Sequence, residues 1–485
     1  NLRGKELYLC QHNLKAMVPV LNSTAGYGLL FDAGCAMMFK DNSEGSFVEL
    51  EAAKQIDYYF MKGKTMDAVV ANYRMLTGNS PMMPLYLFGY IQSKERYVSS
   101  DDLINTLKEY RQRQIPIDMI VQDWNYWPEG QWGNMSMNPK FYPDKRKLAD
   151  EIHSLHAKLM ISIWPNAMNC PQHEEFKRKG WLLSGTSVYD AFNPLARKLY
   201  WNYANNEFFG NGFDAWWCDA SEPLDADWQN MPQDYSQHSH EERWKGNLKL
   251  LSDVLGAERS CLFSLYHSKG IYEKQRETSD RKRVVNLTRS SYAGQQRYST
   301  ITWNGDTHAS WASFAQQIPA GLNFMATGCP YWTVDIGAFF TQRKSQWFWN
   351  GNYNQGVEDP GYREFYTRMF QYGAFLPLFR SHGTDTPREI WNFGKPGEPF
   401  YDSLLKTIHL RYRLLPYIYS LAGEISQNNY TISRLLAFDF ADDSKVWDIK
   451  DQFMFGPAFL VCPVVTPMYY DNEAAIPEKK EKKRN

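Results

Sequence analysis

Two acidic residues follow one apolar, aromatic segment of the chain. In the stretch GFDAWWCDASEP, residues 212–223, Asp219 comes directly after a Trp-Trp-Cys run, and Glu222 comes three residues later. A carboxylate at the end of a buried segment carries a desolvation cost unless it is paired or used in chemistry. Asp219 is therefore a candidate catalytic group. The structural alternative is that the two tryptophans are core residues and Asp219 is a helix cap.

Polar or aromatic side chains occur at the ends of several other apolar runs. Each of the following residues lies in, ends or closely follows such a run: Asp123, Trp164, Asp219, Trp303, Asp306, Asp335, Arg380 and His382. One such aspartate is often only a turn or cap residue, but four of them with an arginine and a histidine need another explanation. Carboxyl groups that share one pocket repel each other, which raises some of their pKa values and suits acid–base and nucleophilic chemistry on an uncharged substrate.

Other catalytic chemistries have less support in the sequence. The glycine-rich loops of nucleotide-binding proteins, the HExxH pattern of zinc proteases and the GxSxG pattern of serine hydrolases do not occur. Paired carboxylates among many aromatic residues instead favour glycoside hydrolysis, in which one carboxyl group acts as the acid and the other as nucleophile or base. That chemistry implies no metal and no cofactor.

The predicted elements explain how these residues can meet. From Pro84 onward, short apolar runs alternate with helical patterns. Eight runs are predicted as strands: 85–91, 117–123, 158–164, 213–219, 283–289, 298–306, 330–339 and 374–383. Eight strand–helix units predict an α/β fold, a (β/α)8 TIM barrel with loop insertions near 165–205 and 223–245. In such a barrel the carboxyl ends of all strands converge on one mouth.

Side-chain alternation along the fourth predicted strand assigns its residues to two sides. Trp217 and Asp219 fall on the inward side, whereas Trp216 and Cys218 fall on the side that faces the helices. Trp217 is therefore expected to stack on a bound sugar ring. Glu222 is expected to support the site structurally rather than to react with the substrate.

The two ends of the chain differ from the central region. Residues 1–75 are predicted to be rich in β-strands. A long helix is predicted at 404–428, and short strands are predicted at 432–440 and 451–465. The last eight residues, EKKEKKRN, are predicted to form a solvated tail.

Composition argues against some functions and leaves others open. The 485 residues have a formal net charge of −1, which gives no indication of nucleic-acid binding. No run of 18 apolar residues occurs, so no membrane span is expected. The seven cysteines are odd in number and form no CxxC pair, which argues against a disulfide framework or a zinc site. The aromatic fraction of 16% fits either a large core or a sugar-binding surface.

Four segments together resemble the signatures of one enzyme family. WWCDASEP is similar to a nucleophile signature, RSSYAGQQRYSTITWNGDTHASW to an acid/base segment, and DIGAF and FRSHG to two later signatures that hold the sugar. In this order, at predicted barrel strand ends, they resemble glycoside hydrolase family 31, the retaining α-glycosidases. The resemblance runs along nearly the whole chain and implies an oligosaccharide substrate.

The resemblance implies a role for each candidate residue. Asp219 would be the nucleophile and Asp306 the general acid/base. The hydroxyl groups of the sugar in the first subsite would be bound by Asp123, Asp335, Arg380 and His382. The other residues of the pocket would be Trp164, Arg289 and Trp303, together with the inward-facing Trp217.

The resemblance also implies a domain order. Residues 1–75 would be the last part of an N-terminal β-sandwich, residues 76–428 the catalytic barrel, and residues 429–485 the start of a C-terminal β-sandwich that is expected to be truncated. Relatives of this kind are longer, so the chain is expected to be partial. The sequence contains no recognisable signal peptide and leaves the oligomeric state and the compartment open, with a periplasmic or secreted location as one option.

Within the expected function, a retaining exo-acting α-glycoside hydrolase, two departures from the α-glucosidase pattern favour an α-xylosidase. The chain has Asp219-Ala-Ser-Glu222 where many α-glucosidases of the family have Asp-Met-Asn-Glu. Many of those enzymes also have a second Asp two residues after the first in the second strand, whereas QDWNYW has Trp124 and Asn125 after Asp123. An indole near C5 of the sugar would fill the space that a hydroxymethyl group needs, a selection worth about 1–3 kcal/mol. The first alternative is an α-glucosidase of the same family. The alternative of another class is a carbohydrate-binding protein without turnover.

Overall fold

Two small antiparallel sheets precede the central part of the chain. The computed structural model describes residues 1–224, 240–344, 346, 348–471 and 474–475. Its first strands are β1 (Glu6–Leu9), β2 (Val20–Ser23), β3 (Tyr27–Phe31), β4 (Met37–Asn42), β5 (Gly45–Leu50) and β6 (Tyr58–Lys62). One sheet has the order β1-β4-β5, and the other has the order β2-β3-β6. Helix α1 (Met66–Thr77) follows and is capped by the Thr65 side chain, which accepts a hydrogen bond from the Ala68 N–H.

A nearly closed ring of eight parallel strands forms the centre of the molecule. The strands are β7 (Tyr90–Gln92), β8 (Met119–Gln122), β9 (Lys158–Ile163), β10 (Ala215–Cys218), β11 (Asn286–Thr288), β12 (Thr300–Trp303), β13 (Trp332–Thr333) and β14 (Phe379–Ser381). Their order in the sheet is β13-β12-β11-β10-β9-β8-β7-β14. An isolated parallel bridge between Ile336 and Ser381 joins the two edges of this sheet. The predicted (β/α)8 barrel is therefore confirmed.

Helices supply the crossover connections that parallel strands require. They are α2 (Ser100–Gln112), α3 (Lys145–Ser154), α4 (Pro171–Arg178), α5 (Pro194–Glu207), α6 (His240–Leu255), α7 (Phe263–Thr278), α8 (Trp311–Ala326) and α9 (Pro360–Gly373). Helix α10 (Pro399–Asn428) follows the last barrel strand. In β10, the indole N–H of Trp216 donates to Gln275 Oε1 on α7 at 2.8 Å, so Trp216 faces the helices. Trp217 instead contacts Trp303 of β12, with ring centroids 5.5 Å apart across the barrel interior. The predicted alternation along this strand is correct.

The first barrel strand is shorter than predicted. The run 85–91 begins as a 3-10 helix, Leu85–Phe88, and only its last residues belong to the strand Tyr90–Gln92. Gly89 separates the two elements, and a side chain there would overlap the carboxylate of Asp118. The chain therefore passes close to Asp118 at the point between the 3-10 helix and the strand, and only glycine fits there.

The seventh barrel strand also ends earlier than predicted. It stops at Thr333, so Asp335 lies beyond the strand rather than within it. The chain turns here because Gly337 and Ala338 have φ angles of 100° and 60°, in the left-handed region.

The segment 165–205 contains helix α4 and most of helix α5. It was predicted as a loop insertion because it has no regular periodicity. Each of the two helices begins with a proline at its first position, Pro171 and Pro194, where the helix needs no N–H donor. The side chain of Asn193 caps α5. The insertion predicted near 223–245 lies largely outside the described residues.

A third small sheet follows the long helix α10. Its strands are β15 (Ser433–Arg434), β16 (Phe453–Phe455) and β17 (Phe459–Val461), and a hairpin of β18 (Tyr470–Asp471) and β19 (Ala474–Ala475) comes after it. The strand predicted at 432–440 is only two residues long, because Leu436–Phe438 form a 3-10 turn. The predicted charged tail lies outside the described residues. Within the described part of the chain, no helix combines the length and apolar composition that a membrane span requires.

Candidate active site

The carboxyl ends of the barrel strands bring the predicted site residues to one mouth. Asp123 follows β8, Trp164 follows β9, Asp219 follows β10, Arg289 follows β11, Trp303 ends β12, Asp306 and Asp335 lie just beyond β12 and β13, and Arg380 and His382 lie in and after β14. Most of these side chains are buried, whereas those of Asp219 and Asp306 keep 12% and 13% exposure. The two aspartates are therefore the acidic groups most open to solvent in this set.

Arg289 connects three carboxylates at the mouth. Its Nη1 lies 3.2 Å from Asp219 Oδ1 and 3.3 Å from Asp306 Oδ2, and its Nε donates to Glu222 Oε1 at 2.8 Å. Because the Asp219 and Asp306 oxygens both lie within 3.3 Å of one nitrogen, they cannot be farther apart than twice that distance. Two carboxyl groups from different strands therefore share one narrow region.

Glu222 orients this arginine. Its second oxygen accepts from Arg289 Nη2 at 3.1 Å, which makes the pair bidentate, and the residue is only 1% exposed. Both oxygens of Glu222 are thus engaged by the guanidinium. This geometry agrees with the supporting role expected for Glu222.

A second charged pair lies deeper in the barrel. Arg380 Nη2 donates to Asp335 Oδ1, and both side chains are fully buried. The guanidinium carbon of Arg380 lies 4.8 Å from the ring centroid of Trp217 and 5.9 Å from that of Trp303. These contacts are in the range of cation–π interactions. The guanidinium of Arg380 is therefore packed against two tryptophans.

His382 follows Arg380 in the chain and lies close to Asp123. Its Nε2 is 3.7 Å from Asp123 Oδ2, and its Nδ1 is 2.7 Å from Ser93 Oγ. Burial lowers the pKa of His382 well below its ordinary value, and Arg380 and Arg388 lower it further. The imidazole is therefore neutral at physiological pH, so its contact with Asp123 is not an ion pair.

Several buried polar atoms of the site have no hydrogen-bond partner among the described residues. They are the indole nitrogens of Trp164, Trp217 and Trp303, Asp335 Oδ2, Arg380 Nε and Nη1, and His382 Nε2. An unsatisfied buried donor or acceptor costs about 1–3 kcal/mol, so such a group of atoms requires partners. Sugar hydroxyl groups, which both donate and accept hydrogen bonds, match this mixture of donors and acceptors.

Asp219 and Asp306 have perturbed acidities. Burial raises the pKa of Asp219 to about 6, an effect that Arg289 opposes and Asp306 reinforces. Burial also raises the pKa of Asp306 to about 6, with Arg289 opposing and Asp335 reinforcing it. Interacting carboxyl groups titrate as a pair, so this pair holds a proton to higher pH than a solvated aspartate does. One ionised and one protonated carboxyl group is the state that a nucleophile and a general acid need.

Tryptophans line one side of the mouth. Trp124 lies beside Asp123, and its indole N–H donates to Glu95 Oε1 at 3.0 Å. Trp132 joins Trp124 to Trp164, with ring centroids at 5.0 and 5.2 Å. We call Trp124, Trp132 and Trp164 the aromatic wall. The predicted residue Trp164 thus contributes to the mouth as part of this wall.

Three residues that contact the site were not singled out from the sequence. They are Asn13, Ser93 and Glu95. Ser93 and Glu95 follow β7, so the strand-end rule applied to the first barrel strand would have found them. Asn13 contacts Asp306 from 293 positions earlier in the chain, and no local pattern marks it.

Family models match most of the chain. A model of the glycosyl hydrolases family 31 TIM-barrel domain matches residues 80–421, and a model of the family 31 C-terminal domain matches residues 429–482. The chain belongs to glycoside hydrolase family 31. The resemblance inferred from the four sequence signatures is therefore confirmed.

Two similar proteins and one solved structure match the chain along most of its length. The chain is 40% identical over 477 residues to an α-xylosidase of Saccharolobus solfataricus. This alignment covers 98% of the chain and 61% of that protein. The chain is 31% identical over 406 residues to an uncharacterized family 31 glucosidase of Pseudescherichia vulneris, over 80% of the chain and 70% of that protein. The crystal structure of a family 31 α-xylosidase from Xanthomonas citri matches with a TM-score of 0.83 and 29% identity, over 96% of the chain and 67% of that structure. The chain thus spans 61–70% of the length of these three proteins.

Proposed function

We propose that this protein is a retaining, exo-acting α-glycoside hydrolase that releases α-linked xylose from the non-reducing end of oligosaccharides. The observation that carries the proposal is the contact of one nitrogen, Arg289 Nη1, with both Asp219 and Asp306. Retaining glycosidases have their two carboxyl groups about 5–5.5 Å apart, and inverting ones about 6.5–9.5 Å apart. The upper bound on the oxygen separation of Asp219 and Asp306 favours the shorter spacing.

The proposed reaction is a double displacement. Asp219, ionised, attacks the anomeric carbon while Asp306, protonated, gives its proton to the leaving oxygen, and the glycosidic bond breaks. Asp306 then takes a proton from water, whose oxygen attacks the same carbon and releases Asp219. Each displacement inverts the anomeric carbon, so the product keeps the α configuration. The two carboxyl groups complete this reaction, and the proposal includes no cofactor.

The buried residues around the two aspartates would bind the sugar. Hydroxyl groups would be held by Asp123, Asp335, Arg380 and His382, and the pocket would be completed by Trp164, Trp217, Arg289 and Trp303. The unpartnered polar atoms of Asp335, Arg380 and His382 support this assignment. A sugar that satisfies them gains binding energy from groups that are already desolvated and oriented.

Trp124 gives the preference for xylose a physical basis. Its indole lies next to Asp123 and is held by Glu95, so it adds fixed bulk beside the proposed first subsite. The α-xylosidase names of two similar proteins support the same preference. Glucose is the second candidate sugar, because the relative at 31% identity is named a glucosidase.

The proposed domain division is 1–75, 76–428 and 429–485, with a β-sandwich at each end of the barrel. The family matches to residues 80–421 and 429–482 support it.

We expect the full-length protein to hydrolyse an aryl α-xyloside with a kcat/KM about tenfold or more above that for the matching α-glucoside. Release of the aryl group measures both rates, and proton NMR identifies the first-formed anomer, which we expect to be α. A preference for the glucoside would favour the second candidate. Hydrolysis of neither compound, with sugar still bound, would favour a binding protein, and a β product would refute the retaining mechanism.

Trp124→Ala is expected to reduce the xyloside-to-glucoside ratio of kcat/KM by about 10-fold or more, because the lost bulk makes room for the hydroxymethyl group. The same two aryl glycosides measure the ratio. Trp132→Ala is the matched control, since it removes another tryptophan of the aromatic wall that is not adjacent to Asp123, and we expect an unchanged ratio. A ratio that moves equally in both variants would contradict the specificity assigned to Trp124.

A further inference from the structure

A turn from the amino-terminal region reaches the barrel mouth. His12 and Lys15 exchange backbone hydrogen bonds of 3.1 and 2.8 Å, which close the turn. Gln11 fixes it to the loop after β11, because its Nε2 donates to Ser291 O at 2.6 Å and its Oε1 accepts from Ser290 Oγ at 2.9 Å. The turn is therefore attached to the barrel by side-chain hydrogen bonds.

Asn13, within this turn, makes two hydrogen bonds with Asp306. Its Oδ1 accepts from the backbone N–H of Asp306 at 3.1 Å, and its Nδ2 donates to Asp306 Oδ2 at 2.9 Å. A backbone N–H can only donate, so it fixes which end of the Asn13 amide is oxygen and which is nitrogen. The neighbouring residue 305 is a glycine with a φ of 78°, and a side chain there would overlap Asn13 Oδ1. Gly305 thus permits this close approach.

These hydrogen bonds decide which oxygen of Asp306 can carry a proton. Oδ2 accepts from Asn13 Nδ2 at 2.9 Å and lies 3.3 Å from Arg289 Nη1. An amide nitrogen and a guanidinium nitrogen both donate and cannot accept, so a proton on Oδ2 would face other protons. The neutral form of Asp306 therefore carries its proton on Oδ1.

We propose that Asn13 is a positioning residue for Asp306, which confines the transferable proton to Oδ1 and fixes the direction of that oxygen. The proposal rests on the proposed function, in which Asp306 gives this proton to the leaving oxygen. General acid catalysis contributes about 10²–10⁴-fold when the proton lies within hydrogen-bonding reach of its acceptor. A carboxyl group that is free to rotate loses part of this factor.

The same contact affects the acidity of Asp306. The charged groups that face it come from the barrel and are Arg289, Asp219, Glu222 and Asp335. The turn adds the neutral amide of Asn13. Burial raises the pKa of Asp306, and the N–H of Asn13 lowers it by stabilising the ionised form. Loss of Asn13 would therefore keep Asp306 protonated to higher pH, and the alkaline limb of kcat/KM would move upward.

Two leaving groups separate positioning from general damage. An alkyl α-xyloside needs its leaving oxygen protonated, whereas α-xylosyl fluoride needs little help from an acid. For Asn13→Ala we expect kcat/KM to fall by about 10–100-fold on the alkyl xyloside and by less than about threefold on the fluoride, with the alkaline limb moved upward. Asn13→Asp keeps the oxygen that accepts the Asp306 N–H but replaces the donor, so we expect a larger upward shift of the same limb.

The matched control is Leu14→Ala, in the same turn at a residue that is 41% exposed. We expect this variant to behave as the wild type with both substrates. Equal losses on both substrates for Asn13→Ala, with an unmoved alkaline limb, would show that Asn13 only supports the fold and would overturn the proposal.

A readout without turnover keeps this proposal separate from the proposed function. If the wild-type protein hydrolyses neither xyloside, the proposed function fails. The pKa of Asp306 can still be measured by ¹³C NMR titration of its carboxyl carbon, whose signal is assigned by its loss in Asp306→Asn. A raised pKa of Asp306 in Asn13→Ala would support the hydrogen bond and its effect. An unchanged pKa would overturn them.

Discussion

Asp219→Asn is expected to lower kcat/KM for an aryl α-xyloside by about 10⁴–10⁶-fold while leaving the protein folded. The amide has nearly the size of the carboxylate, and Arg289 keeps its bidentate partner Glu222, so the surrounding packing should persist. The amide cannot attack the anomeric carbon, so the covalent intermediate does not form. Steady-state kinetics, with circular dichroism and thermal unfolding as the check on folding, measure this loss.

A small external nucleophile distinguishes the two carboxyl roles. In Asp219→Gly, azide should attack from the side of the missing carboxylate and give a β-configured xylosyl azide. In Asp306→Gly, azide should react with the covalent intermediate of an activated aryl xyloside and give the α-configured azide. The same anomer from both variants, or an active Asp219→Asn, would contradict the assigned roles.

Arg289→Met is expected to reduce both stability and activity. The guanidinium is shared by Asp219, Glu222 and Asp306, so its removal leaves buried negative charges uncompensated, and the free energy of unfolding at pH 7 should fall by about 3–5 kcal/mol. The stability deficit should shrink near pH 5. There Asp219 and Asp306, whose folded-state pKa values are raised further by the loss of Arg289, bind protons that the unfolded chain binds less well. Denaturant unfolding at several pH values measures both effects.

The activity of Arg289→Met should fail most at low pH. Arg289 lowers the pKa of Asp219, so its loss raises that pKa further, and the nucleophile is then protonated over a wider range. The acidic limb of kcat/KM is therefore expected to move to higher pH. Arg289→Met/Glu222→Gln should recover part of the stability by removing one buried charge, but not the activity. An unfolding free energy equal to that of the wild type from pH 5 to pH 8 would contradict this account.

The barrel and most of its mouth could be predicted because both depend on local patterns. Strand–helix alternation is visible within single segments, and an acidic residue at the end of an apolar run, such as Asp219, marks the carboxyl end of a buried strand. The alternation of Trp216 and Trp217 followed from the period of a strand. Each of these features needs no knowledge of distant parts of the chain.

The features that could not be predicted depend on long-range packing or unusual backbone conformations. Asn13 meets Asp306 through long-range packing of the amino-terminal turn on the barrel, to which Gln11 contributes a hydrogen bond. Asp335 lies beyond its strand, just before a turn in which Gly337 and Ala338 have left-handed φ angles, and such an angle is uncommon for residues other than glycine. The helix starts at Pro171 and Pro194 did have a signal, proline at a first helical position. The first of these helices is only eight residues long, and the second has weak amphipathic periodicity.

The barrel is least firmly closed between β13 and β14, the two edges of its sheet, and this edge lies beside the proposed sugar pocket. Neighbouring strands such as β8 and β9 pair over four residues, whereas the two edges of the sheet meet at one bridge, Ile336 to Ser381, with flanking hydrogen bonds of 3.4 Å. The ion pair of Asp335 and Arg380 crosses the same edge. A ligand held by both side chains would connect the seventh and eighth strands of the barrel, which are the two edges of the sheet. Sugar binding in the pocket and local opening of the sheet at this edge would therefore be coupled equilibria. A bound sugar would slow hydrogen exchange most at the backbone amides along this edge.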